Sequence, residues 1–342
     1  MFDVPAQGTV SGSTAVFSRP IDGQADLWMV NLSTGEEKRL TDTPVFETNP
    51  KFCGDKVVFS TSPTANGQAD LAMIDLEGSV TPLSTMPGDE GNFWVCGDEI
   101  LWTLETPGNF SIWRRNMKTG INSQVRGASP EKPTNVMSNG KKIFWTQQDD
   151  QTDLDVWMYD IESGKSLAVC EEPGDQYCTS MEGNWVSIVG RYVFRPDRDL
   201  YVYDITRQME VPVDTSREDV TSAVISNGHL VYILQPISTP IDGKLRYAKL
   251  GSDEISSMQI DRIPLTEKDR LHFSWPVVAW EDKRDCYAKG TDIWCFDFNT
   301  NQSFPASFDV GNQYLHDLRG SVMSWISTVS GKYSITFKIL TY

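Results

Sequence analysis

Long apolar runs, basic residues and histidine are scarce in this 342-residue chain. No stretch approaches the roughly 18 consecutive apolar residues of a membrane-crossing helix, so no transmembrane segment is expected. Thirty Lys and Arg stand against 47 Asp and Glu, a net charge of −17. Such a surface repels a phosphate backbone, which excludes nucleic acid as a partner. Met1-Phe2-Asp3-Val4-Pro5 has neither the basic nor the apolar segment of a signal peptide. No two cysteines have Cys-x-x-Cys spacing, which excludes a zinc ribbon or a thioredoxin-type site. Helical periodicity and helix-capping signals are missing as well. An aromatic content of 11% excludes disorder.

What is there is a repeat. A short polar strand ends in Gly, an apolar strand follows at once, and a third strand opens on Asp and an apolar residue. A turn and a fourth short strand complete the unit. The third strand reads ADLWMVNL at 25–32, ADLAMIDL at 69–76, LDVWMYDI at 154–161, RDLYVYDI at 198–205 and TDIWCFDF at 291–298. The marker glycines are Gly12, Gly54, Gly97, Gly140, Gly183, Gly228 and Gly320, and the wide last gap holds a repeat whose first strand, Arg270 to Ser274, lacks the marker. The mean interval is 44 residues, which gives eight repeats. Four short strands at that period define a β-propeller blade. The expected fold is all-β: one eight-bladed propeller, with seven blades as the alternative. Its blades span about 8–42, 48–85, 91–128, 133–172, 176–215, 220–267, 270–310 and 314–342, the last completed by residues 1–7 as a closing outer strand.

The repeats resemble those of TolB-like propellers. Asp26-Leu27-Trp28 followed by a Leu40-Thr41 ending carries the likeness, as does Val278-Ala279-Trp280-Glu281-Asp282 followed by Thr291-Asp292-Ile293-Trp294. The resemblance implies a propeller of cell-surface or periplasmic type. TolB itself adds an N-terminal α/β domain that this sequence does not contain. Peptidases of the prolyl oligopeptidase type carry similar propellers, but no Gly-x-Ser-x-Gly elbow occurs here.

No catalytic constellation stands out. The repeated Asp26, Asp70, Asp155, Asp199 and Asp292 read as strand-entry residues that accept turn N–H bonds. His272, His316 and Asp317 fall on adjacent first strands and are the candidate metal ligands. Propeller-type oligogalacturonate lyases resemble this in using His-ligated metal. Acidic loops, 147–155 and 281–285, offer oxygen ligands for Ca²⁺ or another divalent metal, although no cofactor is required. Tyr177, Trp275, Tyr314, Asp282 and Arg284 are the candidate ligand-binding residues. Cysteine placement suggests three disulfides, Cys53–Cys96, Cys170–Cys178 and Cys286–Cys295, and with them an oxidising compartment: extracellular, cell-surface or periplasmic. The expected function is a non-enzymatic binding or assembly module that meets a protein or glycan at an acidic loop face, with a homo-oligomer or larger assembly open to it. Carbohydrate binding is one alternative, and a metal-dependent polysaccharide lyase or hydrolase is another.

Overall fold

The computed structural model describes residues 8–340 except 22, 66, 149–152, 171–172, 193–194, 239–241, 253, 262, 264–265, 285–289, 308–309 and 330–331. The described residues are all-β, with no helix among them, and none is therefore long and apolar enough to cross a membrane. They form one eight-stranded sheet, five four-stranded sheets and one three-stranded sheet. The eight-stranded sheet comprises two antiparallel runs, 8–39 and 46–82, joined by the single parallel pair Ala25 and Phe46. Small antiparallel sheets following one another along the chain are a propeller, as the repeat predicts. The closing strand expected from residues 1–7 lies outside the described residues.

Each sheet is covered on both faces, which explains why its second strand is apolar almost throughout. Val57 and Phe59 pack backwards onto Val16 and Leu27 of the preceding strands, whereas Val58 packs forwards onto Ile100 and Trp102. Leu101, between those two, continues the pattern onto Ile143 and Trp145. A strand with period-two alternation thus places one set of side chains in each neighbouring interface. The core is a series of layers between sheets rather than one central mass.

The first strands are Gly8–Ser11, Phe46–Cys53, Phe93–Cys96, Thr134–Ser138, Gly174–Glu182, Asp219–Ser226, Lys268–Ser274 and Asn312–Arg319. Each touches the next in chain order, and Gly8–Ser11 also touches Asn312–Arg319. The marker glycines do turn these strands into their successors, all with φ between +56° and +82°. Only glycine takes that conformation at little cost. Where the marker is missing, the turn is made at Trp275-Pro276.

Polar side chains fasten one sheet to the next. The Thr41 hydroxyl bonds the Glu47 carboxylate and accepts the Leu27 N–H at 2.9 Å. Ser84 bonds Glu90 in the same manner, and Glu90 accepts the Leu71 N–H. Ser307 accepts the Ile293 N–H at 2.9 Å, six residues before the buried Gln313. A hydroxyl followed six residues later by Glu or Gln is therefore a junction motif, and the Leu40-Thr41 strand ending is half of it. Asp26, at the third-strand entrance, accepts from Arg39 at 2.7 Å and from the Thr43 N–H, as the repeated aspartates predict. Asp70 departs from the pattern and is exposed.

The disulfide expectation is corrected. Cys53, Cys96, Cys178 and Cys295 are free thiols, so none of the pairs 53–96, 170–178 and 286–295 forms; Cys286 lies outside the described residues. Cys178 has a different partner, lying 3.4 Å from Thr146 Oγ1 and 3.4 Å from the Asn135 carbonyl. Cys170 and Cys178 belong to one apolar layer, and Cys295 to another. These thiols act as small hydrophobic residues. Burial pushes Cys178 and Cys295 up to about 12 and Cys96 up to about 11. The argument for an oxidising compartment loses its support with the disulfides.

Candidate functional site

The first strands bring together a group of titratable residues where Phe46–Cys53, Lys268–Ser274 and Asn312–Arg319 converge. Register slips near the middle of all three strands reorient their side chains. His316 is the unpaired residue of its bulge, and its Nε2 accepts the Gly8 N–H at 3.1 Å. Arg270 lies in the bulge of its own strand with φ of 45°. Its Nε is 3.5 Å from Glu281 Oε1, and its guanidinium lies 5.6 Å from the centre of the Tyr314 ring. Lys51 donates to the Phe93 carbonyl at 2.6 Å, over the Phe93 ring.

These groups share one electrostatic neighbourhood. The Asp317 carboxylate acts on Lys51, His272 and His316 alike. Burial nevertheless dominates each. It brings Lys51 down to about 8 and His272 down to about 4, and it lowers His316. Both imidazoles are therefore neutral at pH 7. Burial also pushes Glu281 up to about 7, against the pull of Arg270 and of the Leu315 N–H, which it accepts at 2.8 Å. Perturbed groups concentrated in this way make the cluster a candidate functional site.

His272, His316 and Asp317, the candidate metal ligands, share this neighbourhood. The Nε2 lone pair of His316 is occupied by Gly8, and Asp317 pairs with Arg319 Nε at 3.1 Å. Among the described residues no three His, Cys, Asp or Glu side chains are placed to hold a metal ion.

The five predicted ligand-binding residues are scattered. Tyr314 belongs to the group just described. Tyr177 accepts from Arg198 Nη1 at 2.9 Å, and Arg198 also pairs with Asp219 at 2.5 Å. Trp275 stacks face to face on His229, centroids 3.7 Å apart, beside Phe298 and Phe273. Asp282 and Arg284 are not surface residues at all. Asp282 is fully buried, and Arg284 pairs with it at 2.5 Å while stacking 3.5 Å over the Trp294 ring. Lys268, also fully buried, lies 3.1 Å from Asp261 and 3.8 Å from Asp282. This is an internal ion network holding two strands and a loop together. Its lysine occupies a junction position where Glu47 and Gln313 stand elsewhere.

Sequence reasoning missed Lys51 and Arg270, and it read Glu281 only as part of the acidic loop 281–285. Lys51 follows Asn49-Pro50, an interruption in an otherwise regular strand that signals a bulge. Arg270 carried no local signal, because arginine does not favour a left-handed backbone.

No protein-family model matches the sequence, and no curated protein resembles it closely enough to match. Solved structures do match the fold. A prolyl endopeptidase structure superposes with a TM-score of 0.68 at 14% identity, covering 94% of this chain and 54% of that one. Dipeptidyl peptidase 4 from Porphyromonas gingivalis gives 0.67 at 9% identity, covering 98% of this chain and 57% of that one. The β-propeller domain of the Trilobed protease from Pyrococcus furiosus gives 0.60 at 13% identity, covering 89% of this chain and 98% of that one. The chain therefore spans little more than half the length of the two full peptidases. Identities this low establish a shared propeller fold. These three propellers belong to peptidases, which corrects the expected non-enzymatic module.

Proposed function

We propose that this chain is the propeller portion of a peptidase, working beside a hydrolase domain that supplies the catalytic groups. The observation that carries this reading is the match to the isolated propeller domain of a protease, 89% of one chain against 98% of the other. The hydrolase belongs either to the same polypeptide or to a separate one. On this reading the propeller limits which peptides reach the catalytic groups, and the convergence of first strands around Lys51 and His316 lies on their route.

We further infer that the ring has eight blades with the boundaries expected from the repeat, the eight-stranded sheet being two blades side by side. Supporting this, the first strands touch one another in order and the last touches the first. Closure by residues 1–7 is supported by Gly8, where a Cβ would come within 2.7 Å of Ile335 Cδ1 on Lys332–Ile339. The TolB-like character of the repeats remains part of the same proposal.

The test is to purify the tagged protein from its own cells and assay the product with fluorogenic oligopeptides and a fluorophosphonate probe. Peptidase activity and a labelled serine hydrolase should co-elute with the chain, or reside in the same polypeptide. Activity no higher than that of a tag-only control would refute the reading.

A further inference from the structure

Asn312–Arg319 touches Lys268–Ser274 on one side and Gly8–Ser11 on the other, and Gly8–Ser11 in turn touches Phe46–Cys53. Gly320 N–H donates to Ser274 Oγ at 2.8 Å, and Arg319 Nη1 donates to the Phe52 carbonyl at 3.5 Å. Arg319 is thus level with Phe52, Lys51 is one residue deeper, and Arg270 is four residues from Ser274, about 13 Å along the strand. His316 and His272 fall between. Arg319 opens onto a cleft of about 460 Å³ bounded by the turns at Ser11-Gly12, Gly54 and Gly320-Ser321.

Two of these cations are poorly matched by protein partners. Among the described residues no carboxylate pairs with Lys51, whose ammonium rests on one carbonyl and one ring face. Arg270 is held in a left-handed conformation. The equivalent bulge residues Asn49 and Asn135, with φ of 55° and 51°, are of a type that tolerates this backbone. An arginine there is strained, and such strain persists where a site uses it. Its side chain is 56% exposed, with Glu281 3.5 Å away as its carboxylate contact among the described residues and the Tyr314 ring centre 5.6 Å away. Opposing charges are few: Asp317 is paired with Arg319, Glu281 is largely desolvated, and Asp269 is turned to its own backbone, accepting the Arg270 N–H.

We infer that the passage from the cleft at Arg319 past Lys51 to Arg270 binds an extended peptide bearing carboxylate groups. The inference rests on the peptidase reading only in naming a peptide as the occupant. Carboxylates would replace the carbonyl at Lys51 and form a two-pronged pair with Arg270. The molecule as a whole carries −17, so overall charge favours basic peptides. The local arrangement favours the opposite.

The experiment measures fluorescence anisotropy of labelled hexaglutamate and hexalysine with the 342-residue chain alone, at low and physiological salt. Hexaglutamate should bind about tenfold more tightly than hexalysine, a difference of about 1.4 kcal/mol. Lys51→Met and Arg270→Asn should each weaken hexaglutamate several-fold, with Arg270→Asn melting no lower than the parent because it relieves the backbone. Lys132→Met, at an exposed lysine paired with Glu105, should change nothing. Equal binding, preference for hexalysine, or hexaglutamate binding indifferent to both site variants would overturn the inference. Because no hydrolase is present, failure here leaves the co-purification result untouched, and failure there leaves this binding result untouched.

Discussion

The junction at Glu47 and the junction at Lys268 do the same work with opposite charges. At the first, one buried carboxylate takes the hydroxyls of Thr41 and Thr43, and nothing ionic is needed. At the second, a buried ammonium bonds the Thr266 hydroxyl and requires Asp261 and Asp282, which in turn hold Arg284. A carboxylate can lower its cost of burial by taking up a proton, and Glu47 is indeed shifted upwards by burial. The lysine site instead assembles countercharges. A repeat position therefore conserves its place in the architecture more strictly than its chemistry, and the neighbouring sequence must change with it. That is why Asp282 and Arg284, read one residue at a time, looked like a ligand site.

The contrast is sharpest under mutation. Lys268→Met should destabilise the protein by about 3–5 kcal/mol, because it strands Asp261 and Asp282 with Arg284 alone. The denaturant midpoint should fall with little change in slope. Glu47→Ala should cost about 1–3 kcal/mol, the penalty for leaving buried hydroxyls unsatisfied. Glu47→Gln should cost less, since Gln313 stands at another junction. If Lys268→Met were milder than Glu47→Ala, the comparison would be wrong.

pH separates the buried groups further. Glu281 has a folded value of about 7 against 4.5 for the free residue. The folded state then holds its proton more tightly than the unfolded state, so this group's contribution to stability falls as pH rises from 4.5 to 7. His272, lowered from 6.5 to about 4, acts in the opposite sense. It contributes stability that is present above 6.5 and lost as pH falls towards 4. Glu281→Gln should make the melting temperature rise more steeply with pH between 4.5 and 7 than in the parent. An unchanged profile would show that Glu281 is not desolvated as described. The smallest effect concerns the thiols: Cys178 and Cys295 should resist iodoacetamide at pH 8 in the folded protein, and reductant should leave both mass and melting temperature unchanged.

The repeat made the fold legible in advance, because most copies share the turn glycine, the entry aspartate and the alternating apolar strand. Gly54, Asp26 and Val57-Val58-Phe59 carry that information locally. The site was legible only in part. His272, His316 and Asp317 were correctly placed on adjacent first strands, since strand register follows from the repeat. The Gly8 N–H that His316 accepts could not be read locally, because it comes from the far end of the chain. The cysteines misled for a related reason: their shared repeat position fixes which layer they enter, not whether two sulfurs meet. Lys51 and Arg270 acquire their character from bulges, whose effect depends on partners in other sheets.

A crystal structure that resolves side chains would test the central claim most directly. The account predicts eight radial sheets in a closed ring, residues 1–7 paired with Lys332–Ile339, and a buried Lys268 flanked by Asp261 and Asp282. Seven sheets, or a solvent gap between Asn312–Arg319 and Gly8–Ser11, would contradict it.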